Sequence, residues 1–211
     1  MGFSMVKIKD FSKIESPFVR EEINEEYILT PKVTEGYEWV FNDDTVIAVE
    51  KLHGTNVSVL IQDGVITSIW NRTERIPFFN KGKKFIIEGL LESHERGYCE
   101  LLDGQHFGEL IGEKVNGNMH KIERHLWIPF NSFGKKHLVY KSFHKYPKTF
   151  EALSEWFRKP ISEGGIFSLY ARMKGVEIHP EGVVFYNLKT GQMCKLRRDM
   201  FDWYKGRRHE E

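Results

Sequence analysis

Short runs of β-branched, aromatic and aliphatic residues are the main pattern along the chain, and such runs are typical of strands. Residues 57–62 and 65–70 flank Asp63 and Gly64, a dipeptide that tolerates the positive φ angles of a tight turn. We therefore predict a β-hairpin there. Five more strands are predicted at residues 45–50, 106–111, 125–130, 182–186 and 192–197. Together they indicate mostly antiparallel sheet.

Helical spacing is rarer along the chain. Thr149 is a candidate N-cap, and Phe150, Leu153 and Phe157 recur at helical spacing before Pro160, which predicts a helix over Phe150–Arg158. A second helix is predicted over residues 83–96, although Gly89 weakens it. Strands and helices do not alternate regularly, so the pattern favours an α+β fold with packed antiparallel sheets. No repeat or linker divides the sequence, and we expect a single domain over residues 1–211.

The composition excludes several classes of protein. The chain has 211 residues and a formal net charge of +1, which argues against a histone-like or uniformly acidic protein. The longest apolar runs fall far short of the roughly 20 residues that span a bilayer, and residues 1–14 lack a signal-peptide core. Cys99 and Cys194 are too few for a disulfide framework or a Cys-rich zinc site. We expect a soluble cytoplasmic protein that has no membrane partner.

Charge is distributed unevenly along the chain. Residues 15–50 carry ten acidic side chains against two basic ones, and we assign no function to this stretch. Residues 189–208 carry seven basic side chains against two acidic ones. The basic stretch can bind phosphates, or it can be an ordinary solvated face.

Residues 50–56, with the sequence Glu-Lys-Leu-His-Gly-Thr-Asn, join two predicted strands. The lysine in this segment, Lys51, stands at the end of a strand, and Gly54 allows the backbone to approach a phosphate closely. Most lysines at such positions are simply solvated, so the segment is weak evidence by itself. Four other segments add charge where a sheet rarely carries it, at Arg72, Glu109, Glu181 and the pair Lys195 and Arg197. Residues 195 and 197 share one side of a strand.

In this order, the segments resemble the covalent nucleotidyltransferases, the superfamily of ATP-dependent RNA and DNA ligases and mRNA-capping guanylyltransferases. Residues 50–56 are similar to motif I of that superfamily, with His53 where most branches have Asp. His followed by Gly-Thr-Asn resembles the phage-type, nick-sealing class of RNA ligases. Glu109 matches motif III, residues 126–130 motif IIIa, Glu181 motif IV, and Lys195 with Arg197 motif V.

The resemblance implies a nucleotidyltransferase fold, in which two packed, mainly antiparallel sheets with flanking helices hold ATP in a cleft between them. It implies an ATP-dependent RNA ligase that joins 3′-hydroxyl and 5′-phosphate ends through a lysyl-AMP intermediate and adenylylated RNA. The implied partners are RNA ends, in a nicked duplex or broken RNA, and also DNA nicks. ATP and Mg²⁺ or Mn²⁺ are the implied cofactors.

Each matched residue receives a role from the resemblance. Lys51 would attack the α-phosphate of ATP, and Glu181 would lie near the metal ion. Glu109 would accept hydrogen bonds from the ribose, and Phe130 would stack on adenine. The remaining roles concern the phosphates and the rest of the nucleotide, and they fall to Lys195, Arg197, Glu50, Asn56 and Arg72.

Other interpretations of these residues stay open. Phe130 can be an ordinary core residue, Glu109 can pair with a structural arginine, and Arg197 can be surface charge. For His53 we favour hydrogen bonding that shapes the turn over a catalytic role. The family usually has a second lysine where this chain has Arg197, and a guanidinium cannot serve as a proton donor.

Two other functions compete with an RNA ligase. One is an ATP-dependent DNA ligase, and the other is a catalytically inactive nucleotide- or RNA-binding module. Only 14 residues follow Arg197, so we expect no C-terminal OB-fold or helical domain.

Overall fold

The computed structural model describes residues 8–79, 81–99, 101–140 and 146–206. Within these residues the chain is α+β, with short helices and antiparallel strands. The strands are β1 (Phe18–Ile23), β2 (Glu26–Val33), β3 (Val46–Lys51), β4 (Thr55–Gln62), β5 (Val65–Asn71), β6 (Glu74–Ile76), β7 (Gly104–Ile111), β8 (Leu126–Pro129), β9 (Gly182–Asn187) and β10 (Met193–Arg197). The helices are α1 (Trp39–Asn42), α2 (Lys84–Glu95), α3 (Lys135–His137), α4 (Phe150–Arg158) and α5 (Leu169–Arg172), with a π-helical turn at Phe130–Gly134.

The seven predicted strands are confirmed, with ends that shift by two residues at most.

The chain divides into two compact units. Unit 1 comprises the described parts of Met1–Lys13 and His53–Lys136, and unit 2 those of Ile14–Leu52 and His137–Glu211. The expectation that residues 1–211 make one adenylyltransferase domain stays a prediction.

Unit 1 is built on a five-stranded antiparallel sheet with the order β6-β5-β4-β7-β8. One face of the sheet carries apolar side chains, including Val57, Val59 and Leu110, which form a core with α2. A Cβ atom on Gly89 of α2 would lie 2.3 Å from Leu110 Cδ1. The helix therefore needs glycine at this position to approach the sheet, which explains a residue that helix propensity alone disfavours.

The predicted hairpin turn is confirmed, because Asp63 and Gly64 have φ angles of 52° and 73°. Asp103, which precedes β7, accepts hydrogen bonds from both turn amides at 2.9 and 3.0 Å. The bonds from the Gly64 and Asp63 amides lower the pKa of the Asp103 carboxyl. The carboxylate thus ties the β4–β5 turn to the start of β7.

Trp127 of β8 is fully buried in the unit 1 core. Its Nε1 donates to the Val57 carbonyl oxygen of β4 at 3.0 Å, reaching past the intervening strand β7. Gly108 of β7 makes room for the indole, since a Cβ there would lie 2.5 Å from Trp127 Nε1. One side chain therefore links three strands on the core face.

Unit 2 contains a three-stranded antiparallel sheet with the order β10-β9-β3. Its core face carries Ala48, Phe185 and Leu196, which pack with side chains of α4 such as Phe157. The predicted helix matches α4 residue for residue, and Thr149 caps it by accepting from the Ala152 amide at 3.2 Å.

The acidic N-terminal stretch contains a hairpin, β1–β2, which the sequence pattern does not predict. Phe18 and Leu29 anchor the two strands in the unit 2 core. The turn residues Asn24 and Glu25 have φ angles of 53° and 65°. Exposed carboxylates cover much of the outward side and obscure the alternation that would indicate a strand.

Within the described residues, no helix has the length and apolar character needed to cross a membrane.

Candidate active site

Lys51 and Glu181 meet at one end of the unit 2 sheet, although 130 residues separate them in the sequence. Lys51 ends β3 and pairs with Gly182, the first residue of β9, so Glu181 immediately precedes that pairing. Lys51 Nζ donates to Glu181 Oε2 at 2.7 Å. The two side chains are 23% and 11% exposed, so the pair is largely shielded from water.

Lys195 and Arg197 lie on β10, and the strand register places them on the same face of the sheet as Lys51. We call this the charged face. Lys195 is partly buried, and Arg197 is buried with its Nε donating to Asp199 Oδ1 at 3.0 Å. No sequence pattern identifies Asp199, whose buried carboxylate orients the guanidinium. Arg197 is therefore not ordinary surface charge.

Glu50 points to the opposite, core face of the same sheet and is 4% exposed. Its Oε1 accepts from Ser168 Oγ, and its Oε2 accepts from the Tyr170 amide at 2.8 Å. Burial raises the pKa of Glu50 to about 7, while these hydrogen bonds oppose the rise. The Glu50 side chain thus holds α5 against β3, on the other side of the sheet from Lys51.

Asn56 and Glu109 are direct cross-strand partners on β4 and β7, on the face of the unit 1 sheet opposite its core. We call this the polar face, and it also carries Ser58 and Phe107. Asn56 Oδ1 is buried and has no hydrogen-bond partner among the described residues. A buried acceptor in that condition favours binding of a ligand that carries a donor.

Phe130 follows β8 in the π-helical turn and is only partly buried. Its ring centroid lies 5.3 Å from that of Phe11, which is also 5.3 Å from Phe107. Phe11 belongs to the N-terminal segment that precedes β1. The Gln105 side chain holds this segment, because its Oε1 accepts from the Lys9 amide at 2.9 Å and its Nε2 donates to the Lys9 carbonyl oxygen at 2.7 Å. Phe11 is a further aromatic residue on the polar face, and nothing in the local sequence identifies it.

Arg72 lies in the tight turn between β5 and β6, with a φ angle of 53°, and it is exposed. This turn belongs to the edge of the sheet, whereas Asn56 and Glu109 lie on the interior strands β4 and β7. The structure brings Asn56 and Glu109 together as cross-strand partners. Arg72 follows Asn71, which pairs with Val57 and accepts a hydrogen bond from Thr55 Oγ1 at 3.3 Å, so its turn lies at the same end of the sheet as Asn56.

His53 follows Lys51 and Leu52, and its backbone N–H donates to His120 Nε2 at 3.1 Å. The interaction is with the backbone, in keeping with a residue that shapes the turn. His120 is 67 residues away and 1% exposed, and the sequence gives no signal for it.

The described residues contain no cluster of three or more His, Cys, Asp or Glu side chains suited to a metal ion. Mg²⁺ commonly binds through one or two carboxylates together with substrate phosphates, so it needs no such cluster. The Glu181 carboxylate on the charged face fits a cation that arrives with a nucleotide.

Within the basic stretch 189–208, Lys195 and Arg197 have the placements given above. The Cζ atom of Arg198 lies 5.7 Å from the centroid of the Trp203 ring. The Nε of Arg198 donates to the Phe157 carbonyl oxygen at 3.1 Å. Arg207 and Arg208 lie outside the described residues. Part of the stretch thus serves the packing of unit 2.

No protein-family model matches the chain, and comparison with curated proteins gives no match. Among solved structures, an apo variant of Naegleria gruberi RNA ligase is similar, with a TM-score of 0.51, 15% identity, and coverage of 87% of this chain and 59% of that chain. A variant of this ligase with ATP and Mn has a TM-score of 0.47 and 15% identity, with coverage of 87% and 59%. The ligase with PPi has a TM-score of 0.47 and 18% identity, with coverage of 72% and 49%.

The chain thus spans between 49% and 59% of the length of these ligase chains. The comparison of folds rests on the apo variant alone, because its TM-score of 0.51 is the one above 0.5 among these three structures. At 15% identity the likeness shows the fold alone: the described part of this chain has an α+β fold like that of this RNA ligase.

Proposed function

We propose that this protein is an ATP-dependent RNA ligase of the phage-type, nick-sealing class, in which Lys51 becomes adenylylated and passes AMP to an RNA 5′-phosphate. The contact between Lys51 Nζ and Glu181 Oε2 at 2.7 Å carries the proposal. It places a strand-end amine beside a carboxylate, on the sheet face that also bears Lys195 and Arg197.

The first step forms a bond between Lys51 Nζ and the α-phosphorus of ATP and breaks the bond to pyrophosphate. The amine must be neutral to attack, so the ammonium must release a proton. Glu181 Oε2 is at hydrogen-bond distance from Nζ and is able to hold that proton. Expulsion of pyrophosphate leaves AMP on Lys51.

Lys195 and Arg197 supply positive charge for the phosphates of ATP on the charged face. Asp199 holds the Arg197 guanidinium in one orientation, so that group is preorganised. When bound with ATP, Mg²⁺ or Mn²⁺ would neutralise phosphate charge, and Glu181 is the residue that would contribute an oxygen ligand.

The residues of unit 1 have recognition roles in this proposal. Glu109 accepts hydrogen bonds from ribose hydroxyls, and Phe130 stacks on adenine, as the family resemblance implies. Asn56 Oδ1 is the buried acceptor that lacks a donor within the described residues, which supports a contact with the nucleotide or the RNA end. Arg72, exposed in the β5–β6 turn, contacts the nucleotide or the RNA 5′-phosphate in this proposal.

Incubation with ATP labelled at the α-phosphate tests the first step. We expect label on the wild-type protein in Mg²⁺ or Mn²⁺ and none on Lys51→Ala. Lys83→Ala is the matched control, because Lys83 is also ion-paired, with Glu74 at 3.5 Å, but lies outside the candidate site. Equal labelling of wild type and Lys51→Ala would contradict the assignment of the nucleophile.

A second assay separates a ligase from a nucleotide-binding module. The wild-type protein should join pre-adenylylated RNA to a 3′-hydroxyl end without ATP. Raising salt should impair joining more than self-labelling, because joining depends on contacts with RNA phosphates. A protein that labels itself but joins neither RNA nor DNA ends would contradict the ligase assignment, and joining of DNA nicks alone would favour the DNA ligase.

A further inference from the structure

The loop between β3 and β4 directly follows Lys51, and its last residue, Gly54, has no space for a side chain. A Cβ atom on Gly54 would lie 2.2 Å from the Leu110 carbonyl oxygen and 2.8 Å from Glu109 Cγ. Both of these atoms belong to β7. The loop backbone therefore rests directly on the strand that carries Glu109.

Two side chains from residues 112–121 bond the backbone of this loop. His120 Nε2 accepts the N–H of His53 at 3.1 Å, and Asn116 Nδ2 donates to the carbonyl oxygen of Gly54 at 2.5 Å. One bond engages a backbone donor and the other a backbone acceptor, on consecutive residues. Together with the contact against β7, they determine where the loop lies in unit 1.

The segment that supplies these side chains has an unusual backbone. Asn116, Gly117, Asn118 and Lys121 all have φ angles between 44° and 71°. Asn118 closes the segment on itself through side-chain bonds to the amide and carbonyl of Ile122, at 3.0 and 2.9 Å. Left-handed conformations at non-glycine residues are costly, and they persist where the surroundings enforce them, frequently at functional sites.

We propose that His120 and Asn116 are positioning residues for the adenylylation reaction: they hold the His53–Gly54 backbone in one conformation and touch no substrate. The proposal rests on the proposed function, because it assigns a purpose to the loop that follows the nucleophile. The His120 ring accepts through Nε2, so this nitrogen carries no proton and the tautomer is protonated at Nδ1.

His125 provides a matched control for His120. It is also buried, at 6% exposure, and its Nε2 also accepts a backbone N–H, that of Lys114 at 3.2 Å. It makes the same kind of bond within the same region of unit 1 but does not contact the His53–Gly54 loop. His125 Nδ1 also contacts Glu88 Oε2 at 3.1 Å. If His120 has only a structural role, its substitution should act as that of His125 does, lowering stability without a selective loss of rate.

The experiment compares His120→Leu, His120→Gln and His125→Leu at a temperature where all three remain folded. In His120→Leu we expect the maximal rate of self-labelling to fall about 100-fold, the scale of loss from small misplacements near reacting groups, with little change in half-saturating ATP. The amide oxygen of His120→Gln restores an acceptor and should recover most of that rate. His125→Leu should lower Tm but leave the rate nearly unchanged.

Asn116→Asp provides a second variant of matched size. The substitution replaces the donor that faces the Gly54 carbonyl with a carboxylate oxygen, so we expect the maximal rate of self-labelling to fall in this variant too. Equal loss of rate in His120→Leu and His125→Leu, or failure of His120→Gln to recover activity while folded, would overturn the proposal.

Hydrogen exchange at the His53 amide gives a readout that needs no ATP. Exchange should be faster in His120→Leu than in wild type and His120→Gln, and unchanged in His125→Leu. Unchanged exchange in His120→Leu would show that His120 does not hold the loop. A wild-type protein that never labels itself would overturn the proposed function instead, and the exchange result would still decide whether the loop is held.

Discussion

The sheets of unit 1 and unit 2 each bury one face in a core, but their other faces carry different chemistry. The charged face of unit 2 carries Lys51, Lys195 and Arg197, with Glu181 and Asp199 as partners. The polar face of unit 1 carries aromatic rings, the Asn56 amide and the Glu109 carboxylate. Ionic groups suit the stabilisation of charge during group transfer at phosphorus. Aromatic rings and hydrogen-bonding groups suit the recognition of a nucleoside.

The two faces also differ in how their polar groups are satisfied. On the charged face the carboxylates of Glu181 and Asp199 already bind cations of the same unit. On the polar face the Asn56 oxygen is buried without a partner among the described residues. The comparison teaches that substitutions on the charged face should change rates, while substitutions on the polar face should change the concentration of nucleotide required.

The largest effects should come from the charged face. Glu181→Gln and Lys195→Ala should each lower the rate of lysyl-AMP formation by about 10²- to 10³-fold, the usual loss when one electrostatic stabiliser is removed. Single-turnover labelling at saturating ATP measures this rate. Glu155→Gln, which breaks a surface ion pair with Arg158 in the same unit, is the control. Near-normal rates in both variants would contradict the catalytic roles of Glu181 and Lys195.

A smaller effect, of a different kind, is expected on the polar face. Phe130→Leu should raise the ATP concentration for half-maximal labelling about 10-fold, since base stacking on an aromatic ring contributes about 1–3 kcal/mol. The maximal rate should change little. Phe79→Leu, at a fully exposed ring of unit 1, should leave ATP dependence unaltered. If Phe130→Leu lowers the maximal rate and leaves the ATP concentration for half-maximal labelling unchanged, the distinction between the two faces is wrong.

The smallest effect concerns the two faces of the unit 2 sheet. The Glu50 pKa is raised to about 7 from its ordinary value of 4.5, so the folded state binds this proton more tightly than the unfolded state does. Its contribution to stability is therefore fully present below pH 4.5 and is lost as the pH rises through 7. Glu50→Gln cannot ionise and should lack this loss.

Thermal unfolding of Glu50→Gln and wild type between pH 4.5 and 8 tests the prediction. The Tm of wild type should fall relative to that of the variant across this range, by an amount that corresponds to at most about 3 kcal/mol. Parallel curves would show that the carboxylate stays ionised at all these pH values. A loss of labelling in the folded variant would show that the two faces are functionally linked.

The sequence predicted the strands that alternate or run apolar, the Asp63–Gly64 turn and the capped helix α4, because those signals are local. It also predicted Lys51, Glu181 and Lys195 as a set, and the structure brings Lys51 and Glu181 into contact. The roles of these residues stay predictions. The hairpin β1–β2 was missed because its outward side chains are acidic and β2 contains Pro31.

Other features depend on residues far apart in the chain. Ser168 bonds Glu50 from 118 residues away, and Asn116 bonds Gly54 from 62 residues away. Ser168, Asn116 and His120 belong to loops or turns whose local sequences resemble many others. Their interactions arise only when the sheets have formed, so no pattern within a short window indicates them.

The indole of Trp127 restricts the sequence changes that β8 can tolerate during evolution. Its hydrogen bond to Val57 and its seat over Gly108 admit only one alignment of β8 with the rest of the sheet. A slip of one residue would turn Trp127 out of the core and displace Phe130 from Phe11. Inserting or deleting a single residue in β8 should therefore be far less tolerated than exchanging side chains there. The core face thus dictates where the aromatic ring of the polar face can stand.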